Sequence, residues 1–243
     1  MKRTLEKLRK KEPVTIVAIG DSISVLSSLT KGHLNWFGYL HIGLADRYGD
    51  GFIYSINSSF CGAAVEPELP RLERDVLRWK PDLVIISFGT NDSGGKSALL
   101  GKFKDNYCKM VGIIRQQCGS EIFIRVPVPS TWGFGYATNG KSMLPEGAEP
   151  GQAWAGGEKE VEIYASAVVE LAKELDCAYC DHYQLWQKKK FEFDQPAYNP
   201  QGLCCRYFDT VHLNDQGHLA VYRDLAPLFG LRKYFFYEEV SEI

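Results

Sequence analysis

A hydroxyl, a carboxylate and an imidazole are the side chains from which proteins build a serine nucleophile, and this sequence supplies them at Ser22, Asp209 and His212. Serine attacks poorly at its own pKa and needs a neighbouring base. His212 can be that base. Asp209, three residues earlier and so one turn away, can accept the Nδ1 proton while Nε2 faces Ser22. The chemistry these groups permit is acyl transfer, which also needs donors aimed at a developing oxyanion. Gly62, with no side chain to block close approach, can offer its backbone N–H, and Asn91 can offer its side-chain amide. Taken singly, Gly62 also reads as a turn glycine, Asn91 as a turn asparagine, and the Asp209–His212 pair as an incidental feature of a surface loop.

These residues act together only if the chain delivers them to one place. Residues 14–19 are β-branched residues and an alanine, an apolar run suited to a strand buried on both faces. Gly20-Asp21-Ser22 breaks that run, so Ser22 falls just past the carboxyl end of a central strand, the edge where open α/β sheets bind ligands. Alone, this turn also reads as an ordinary capped strand-to-helix connection. Phe60-Cys61-Gly62-Ala63-Ala64 follows a second strand at residues 52–56, and Gly89-Thr90-Asn91-Asp92 follows a third at 83–88. Asp209-Thr210-Val211-His212 lies near the C-terminus.

Between the strands, apolar residues recur at helical spacing. Leu34, Phe37, Leu40, Leu44 and Tyr48 mark one helix, Leu69, Leu72, Val76 and Trp79 a second ended by Pro81, and Leu99, Phe103, Tyr107, Val111 and Ile114 a third. Residues 122–126 give a fourth strand, 158–175 a helix, 177–181 a short fifth strand, and Asn214 caps a last helix. Residues 128–157 lose all periodicity and are rich in Gly and Pro; residues 187–208 form a second irregular, aromatic segment. Asp21 and Asp92 read as loop-tying carboxylates and His218 as a packed or solvated helix residue, while His33, His41 and His182 have no supporting context.

Serine, glycine, asparagine and histidine in that order, each at a strand end or late loop, resemble the four blocks of the SGNH (GDSL-type) hydrolases, over residues 19–212. The resemblance implies a three-layer α/β/α, flavodoxin-like sandwich around a central five-stranded parallel sheet, and carboxylic ester hydrolysis through an acyl-enzyme on Ser22 with no cofactor. It also adds the backbone N–H of Ser22 as a third oxyanion donor. The nucleophile elbow Gly-x-Ser-x-Gly of the α/β-hydrolases is absent.

Substrate is read from residues 128–157, where Trp132, Phe134, Tyr136 and Trp154 offer flat faces that stack on sugar rings or line acyl pockets, or that pack on the body itself. The expectation is a short acyl ester, acetyl first, on a carbohydrate or similar polar alcohol. The alternatives are a lysophospholipase or thioesterase, and a non-catalytic protein that holds an anion at the Gly20-Asp21-Ser22 turn.

Composition narrows the classes further. The 243 residues carry 28 Lys plus Arg against 30 Asp plus Glu, a net charge of −2 that gives no reason to expect nucleic acid as a partner. Basic residues 2–11, with Leu5 and Leu8, read as a short helix laid on a single domain of residues 1–243. Two leucines bury too little for a membrane anchor to be favoured. No run approaches the roughly 18 apolar residues of a membrane span, and the N-terminus lacks the apolar core of a secretory signal, so a cytoplasmic protein is expected. The seven cysteines fit free thiols. Cys177 and Cys180 have zinc-knuckle spacing, with Cys204 and Cys205 further on. A strand, however, sends positions three apart to opposite faces, so no metal site is expected. A homo-oligomer is left open.

Overall fold

Alternate residues of the strands face opposite ways, and here both directions are apolar, which forces helices onto both faces of one sheet. A computed structural model of the protein describes residues 1–25, 32–129, 158–188 and 211–233. Its sheet is built from β1 (Val14–Gly20), β2 (Ile53–Asn57), β3 (Leu83–Ser87), β4 (Glu121–Arg125) and β5 (Ala178–Cys180), in the order β2-β1-β3-β4-β5. Every pairing is parallel, so this is the flavodoxin-like order that the resemblance implies.

Ile16, Ala18, Leu83, Ile85 and Phe123 point to one face, where they pack with α1 (Lys2–Arg9), α3 (Trp36–Tyr48) and a C-terminal helix, α9 (Asp215–Leu225). Val17, Ile19, Val84, Ile86, Ile122 and Ile124 point to the other, against α6 (Leu100–Cys118) and α7 (Glu158–Glu174). Each fully buried side chain of this size contributes about 1.5–3 kcal/mol of transfer free energy. The strands at the centre of the sheet are thus its most strongly held part.

The basic N-terminal segment is a helix on the body of the protein. Leu8 of α1 is fully buried, Lys7 pairs with Asp82 at 2.8 Å, and Glu121 accepts from the backbone and hydroxyl of Thr4, both at 2.7 Å. Burial opposes the ionised Glu121 carboxylate, yet the bonds from Thr4, Arg3 and the amino terminus outweigh it and pull its pKa down to about 2. Among the described residues no helix is long and apolar enough to cross a membrane.

Two stretches differ from the sequence expectation. The helix expected around Leu69 to Trp79 is broken into α4 (Val65–Glu68), a 3₁₀ turn, α5 (Leu72–Asp75) and a second 3₁₀ turn. Pro70 has no amide hydrogen to bond the Glu66 carbonyl and carry α4 onward, and Val76 leaves the helical region at φ −128°. After β5 the chain enters α8 (His182–Lys188), where no helix was expected. Residues 130–157, nearly all of the long aperiodic segment, lie outside the described residues, as do residues 189–210.

Candidate active site

β1 and β3 lie side by side at the centre of the sheet, and the chain order reverses between them, so their carboxyl ends open a crevice. Gly20 pairs with Ser87 at that edge. A β-carbon on Gly20 would sit 2.6 Å from the Ser87 carbonyl oxygen, so only glycine lets the two strand ends approach this closely. Gly20→Ala is therefore expected to destabilise the fold by about 1–3 kcal/mol, the usual cost of overpacking, and to shift Ser22 with it. Thermal melts that match wild type would contradict this.

Ser22 opens α2 (Ser22–Val25) and is only 6% exposed. Asp21 fixes the turn: its Oδ1 accepts the Ile23 N–H at 3.0 Å, and its carbonyl accepts the Ser24 N–H at 3.0 Å. The Ser24 carbonyl in turn accepts from Asn57 Nδ2 at 2.7 Å and from Asn35 Nδ2 at 3.0 Å. These two asparagines escaped the sequence reading, since nothing local marks a side chain that reaches across loops.

His212 comes two residues before Asn214, whose Oδ1 caps α9 by accepting the Gly217 N–H at 3.0 Å. Its Nε2 lies 2.9 Å from Ser22 Oγ, across 190 positions of sequence. The Asp-x-x-His spacing recurs at Asp215 and His218, so spacing alone does not choose between the two histidines; geometry does. His218 is buried in α9, where its Nδ1 accepts the Trp36 N–H at 3.3 Å. Burial, with the nearby Arg125 charge, pushes its pKa down to about 3. Asp209 lies outside the described residues, as do Trp132, Phe134, Tyr136, Trp154, Cys204 and Cys205.

The two candidate oxyanion loops arrive beside the serine. Backbone bonds from Ser58 to Ala18 (2.8 Å) and from Phe60 to Gly20 (3.1 Å) carry the chain beyond β2 along the end of β1. Gly62 then turns at φ +77°, with nothing within 4 Å of where a β-carbon would stand. Glycine serves there for its backbone conformation rather than for lack of room. Asn91 donates from Nδ2 to the Ala63 carbonyl at 2.9 Å, which leaves the second hydrogen of the same amide for another acceptor. Asp92 accepts from Val65 N–H (2.9 Å) and Gly89 N–H (3.0 Å), the loop-tying role expected of it.

Beneath this edge lies Arg125, the last residue of β4 and 1% exposed, donating from Nε to Ser87 Oγ at 2.8 Å. Its charge acts on several buried groups. Burial raises the pKa of Asp21, and the guanidinium opposes that rise. Burial first and the guanidinium second push His182 down to about 4. The sequence carried a faint signal, a cation ending an otherwise apolar strand. The thiols are kept apart by separate neighbours: Cys177 Sγ lies 3.3 Å from Arg115 Nη2, and Cys180 Sγ lies 3.7 Å from His182 Nε2.

Residues 18–220 match the model of the GDSL-like Lipase/Acylhydrolase family. The chain is also similar to Esterase TesA of Pseudomonas aeruginosa, 28% identical over 120 residues, which are 49% of this chain and 57% of that protein. The match thus spans little more than half the length of that curated relative. Among solved structures, Axe2, an acetylxylan esterase from Geobacillus stearothermophilus, superposes with a TM-score of 0.67 at 18% identity, covering 93% of this chain and 98% of Axe2. The acetyl xylan esterase AlAXEase superposes with a TM-score of 0.67 at 19% identity, covering 88% and 99%. At these identities the two structures establish a shared fold.

Proposed function

The chain belongs to the GDSL-like Lipase/Acylhydrolase family, and from that premise we propose that it hydrolyses carboxylic esters of small acyl groups, acetyl esters first, through an acyl-enzyme on Ser22. The observation that carries this reading is the 2.9 Å approach of His212 Nε2 to a serine hydroxyl at the carboxyl edge of the sheet. His212 takes the Ser22 proton as Oγ attacks the ester carbonyl, then gives it to the departing alkoxide; Asp209 holds the Nδ1–H and stabilises the imidazolium. The N–H groups of Ser22 and Gly62 and the second amide hydrogen of Asn91 bind the oxyanion. Water, activated by the same imidazole, then frees the acid. These steps call on protein groups alone.

Catalytic mutants of Axe2 replace a serine, an aspartate and a histidine, the same three residue types proposed here. Axe2 and AlAXEase are described as acetylxylan esterases, which supports an acetyl group on a sugar alcohol as the substrate of this chain too. Trp132, Phe134, Tyr136 and Trp154 are proposed to contact that sugar. The free thiols of Cys61, Cys108, Cys118, Cys177 and Cys180 support a reducing, cytoplasmic setting.

A panel of acetyl, butyryl and octanoyl p-nitrophenyl esters, run beside acetylated xylose and glucose, tests the substrate reading. The acetyl ester should give the highest kcat/KM, and the acetylated sugars should release acetate. A preference for octanoyl would instead favour a lysophospholipase or thioesterase. No turnover of any member, with no fluorophosphonate label on Ser22, would leave a binding protein.

A further inference from the structure

Asp92 stands beside an oxyanion donor, yet the reaction above gives its carboxylate no task. The geometry is specific. One oxygen, Oδ1, accepts the Val65 N–H at 2.9 Å, and the other, Oδ2, accepts the Gly89 N–H at 3.0 Å. Val65 begins α4, three residues after Gly62; Gly89 is two residues before Asn91. A third bond, from Asn91 Nδ2 to the Ala63 carbonyl, runs between the same two loops at 2.9 Å. The loop that presents a backbone donor and the loop that presents an amide donor are therefore stapled together by two bonds, one through Asp92 and one through Asn91, while the Gly89 N–H holds the Asp92 carboxylate in place from within its own loop.

We infer that Asp92 is a positioning residue for the reaction: its carboxylate, one oxygen to each loop, sets the spacing between the Gly62 N–H and the Asn91 amide. This rests on the ester-hydrolase reading of the site. The substrate carbonyl moves toward the donors only as the tetrahedral intermediate forms, so a loosened staple weakens transition-state binding more than ground-state binding. The signature is a fall in kcat with KM nearly unchanged.

Two acceptor oxygens are needed, and an ionised carboxylate has them; a protonated one turns one oxygen into a donor hydroxyl that meets an N–H. Burial pushes the pKa of Asp92 up to about 6, against the pull of Val65 and Gly89 N–H, and the neighbouring Asp21 carboxylate adds to the rise. Its charge also acts on Tyr107 of α6 and Tyr164 of α7, both held protonated well above this range, burial being the main cause for each. Arg125 also faces Asp21 and Tyr107 and keeps its charge throughout. The sign follows: the staple is complete above a pH of about 6 and weakens as pH falls through that value. In the acid limb of kcat/KM, this proton adds to the one taken up by the imidazole base.

The test uses the intact chain and two readouts. In an ¹⁵N-labelled wild-type sample, the amides of Val65 and Gly89 should shift together with pH, with a common midpoint at about 6. In kinetics with p-nitrophenyl acetate, Asp92→Asn should lose about tenfold to 10²-fold in kcat with KM within about twofold, the scale of a donor misplaced by up to an ångström. Its log(kcat/KM) should fall with a slope of one on the acid side, where wild type falls more steeply than one through the range around pH 6 in which Asp92 takes up its proton. Amides that stay still between pH 5 and 7, or a variant with wild-type kcat and a wild-type slope, would overturn the inference alone. A wild type that turns over no ester would sink the ester-hydrolase reading and this inference with it. A variant that does not fold leaves the wild-type amide titration to decide.

Discussion

Ser22→Ala is expected to remove ester turnover, by a factor on the order of 10⁶ in kcat if the serine and imidazole act as a unit, as they do in other serine hydrolases. The change deletes Oγ, whose hydrogen-bond contact is His212 Nε2 at 2.9 Å. The backbone of the turn is held by other groups, the Asp21 carboxylate and the amides of Asn35 and Asn57, so the fold should melt as wild type does. Loss of activity with stability retained separates a missing nucleophile from a damaged structure. A variant that kept a tenth of wild-type kcat would place the nucleophile elsewhere. Ser24, two residues on, is a poor substitute: it is fully buried, and its Oγ lies inside the β1–β3 junction, 3.0 Å from where a Gly20 β-carbon would be.

Asn91→Ala comes next in size, with an expected loss of about 10² to 10³ in kcat, or about 2.7–4 kcal/mol of transition-state stabilisation. The amide has two hydrogens. One already bonds the Ala63 carbonyl, so the substitution also removes a structural contact, which costs the fold about 1 kcal/mol. The two effects are separable. A transition-state donor lowers kcat and leaves KM alone, whereas a purely structural loss shows first in the melting temperature. A loss of kcat below tenfold would take Asn91 out of the oxyanion site and leave it as the tie between two loops.

Much of this arrangement was legible in the sequence because its signals are local. Hydrophobic runs at residues 14–19, 83–88 and 122–126 announced strands, the first of them buried on both faces, and β1, β3 and β4 fall there to within a residue. Gly20 before Asp21 and Ser22 marked the strand end, and Asn214 marked the start of α9. Periodicity misled at Leu69 to Trp79 because apolar spacing survives where Pro70 cannot carry α4 onward and Val76 leaves the helical region. What stayed hidden depends on partners distant in sequence. Arg125 reads as a stray charge until Ser87 is beside it. Asn35 and Asn57 look like loop residues until both reach the same carbonyl. Asp215-x-x-His218 mimics Asp209-x-x-His212 until burial against Trp36 takes His218 away from the serine.

The central claim is that Ser22 carries the acyl group. Mixing the protein with p-nitrophenyl acetate, quenching in acid within the first turnovers and sequencing the peptides by mass spectrometry measures this directly. The account predicts one acetyl group on the peptide that contains Ser22, located on that side chain and lost again on longer incubation before the quench. Acetyl found on another residue, or ester cleaved at full rate with no acetylated peptide at any time, would contradict it.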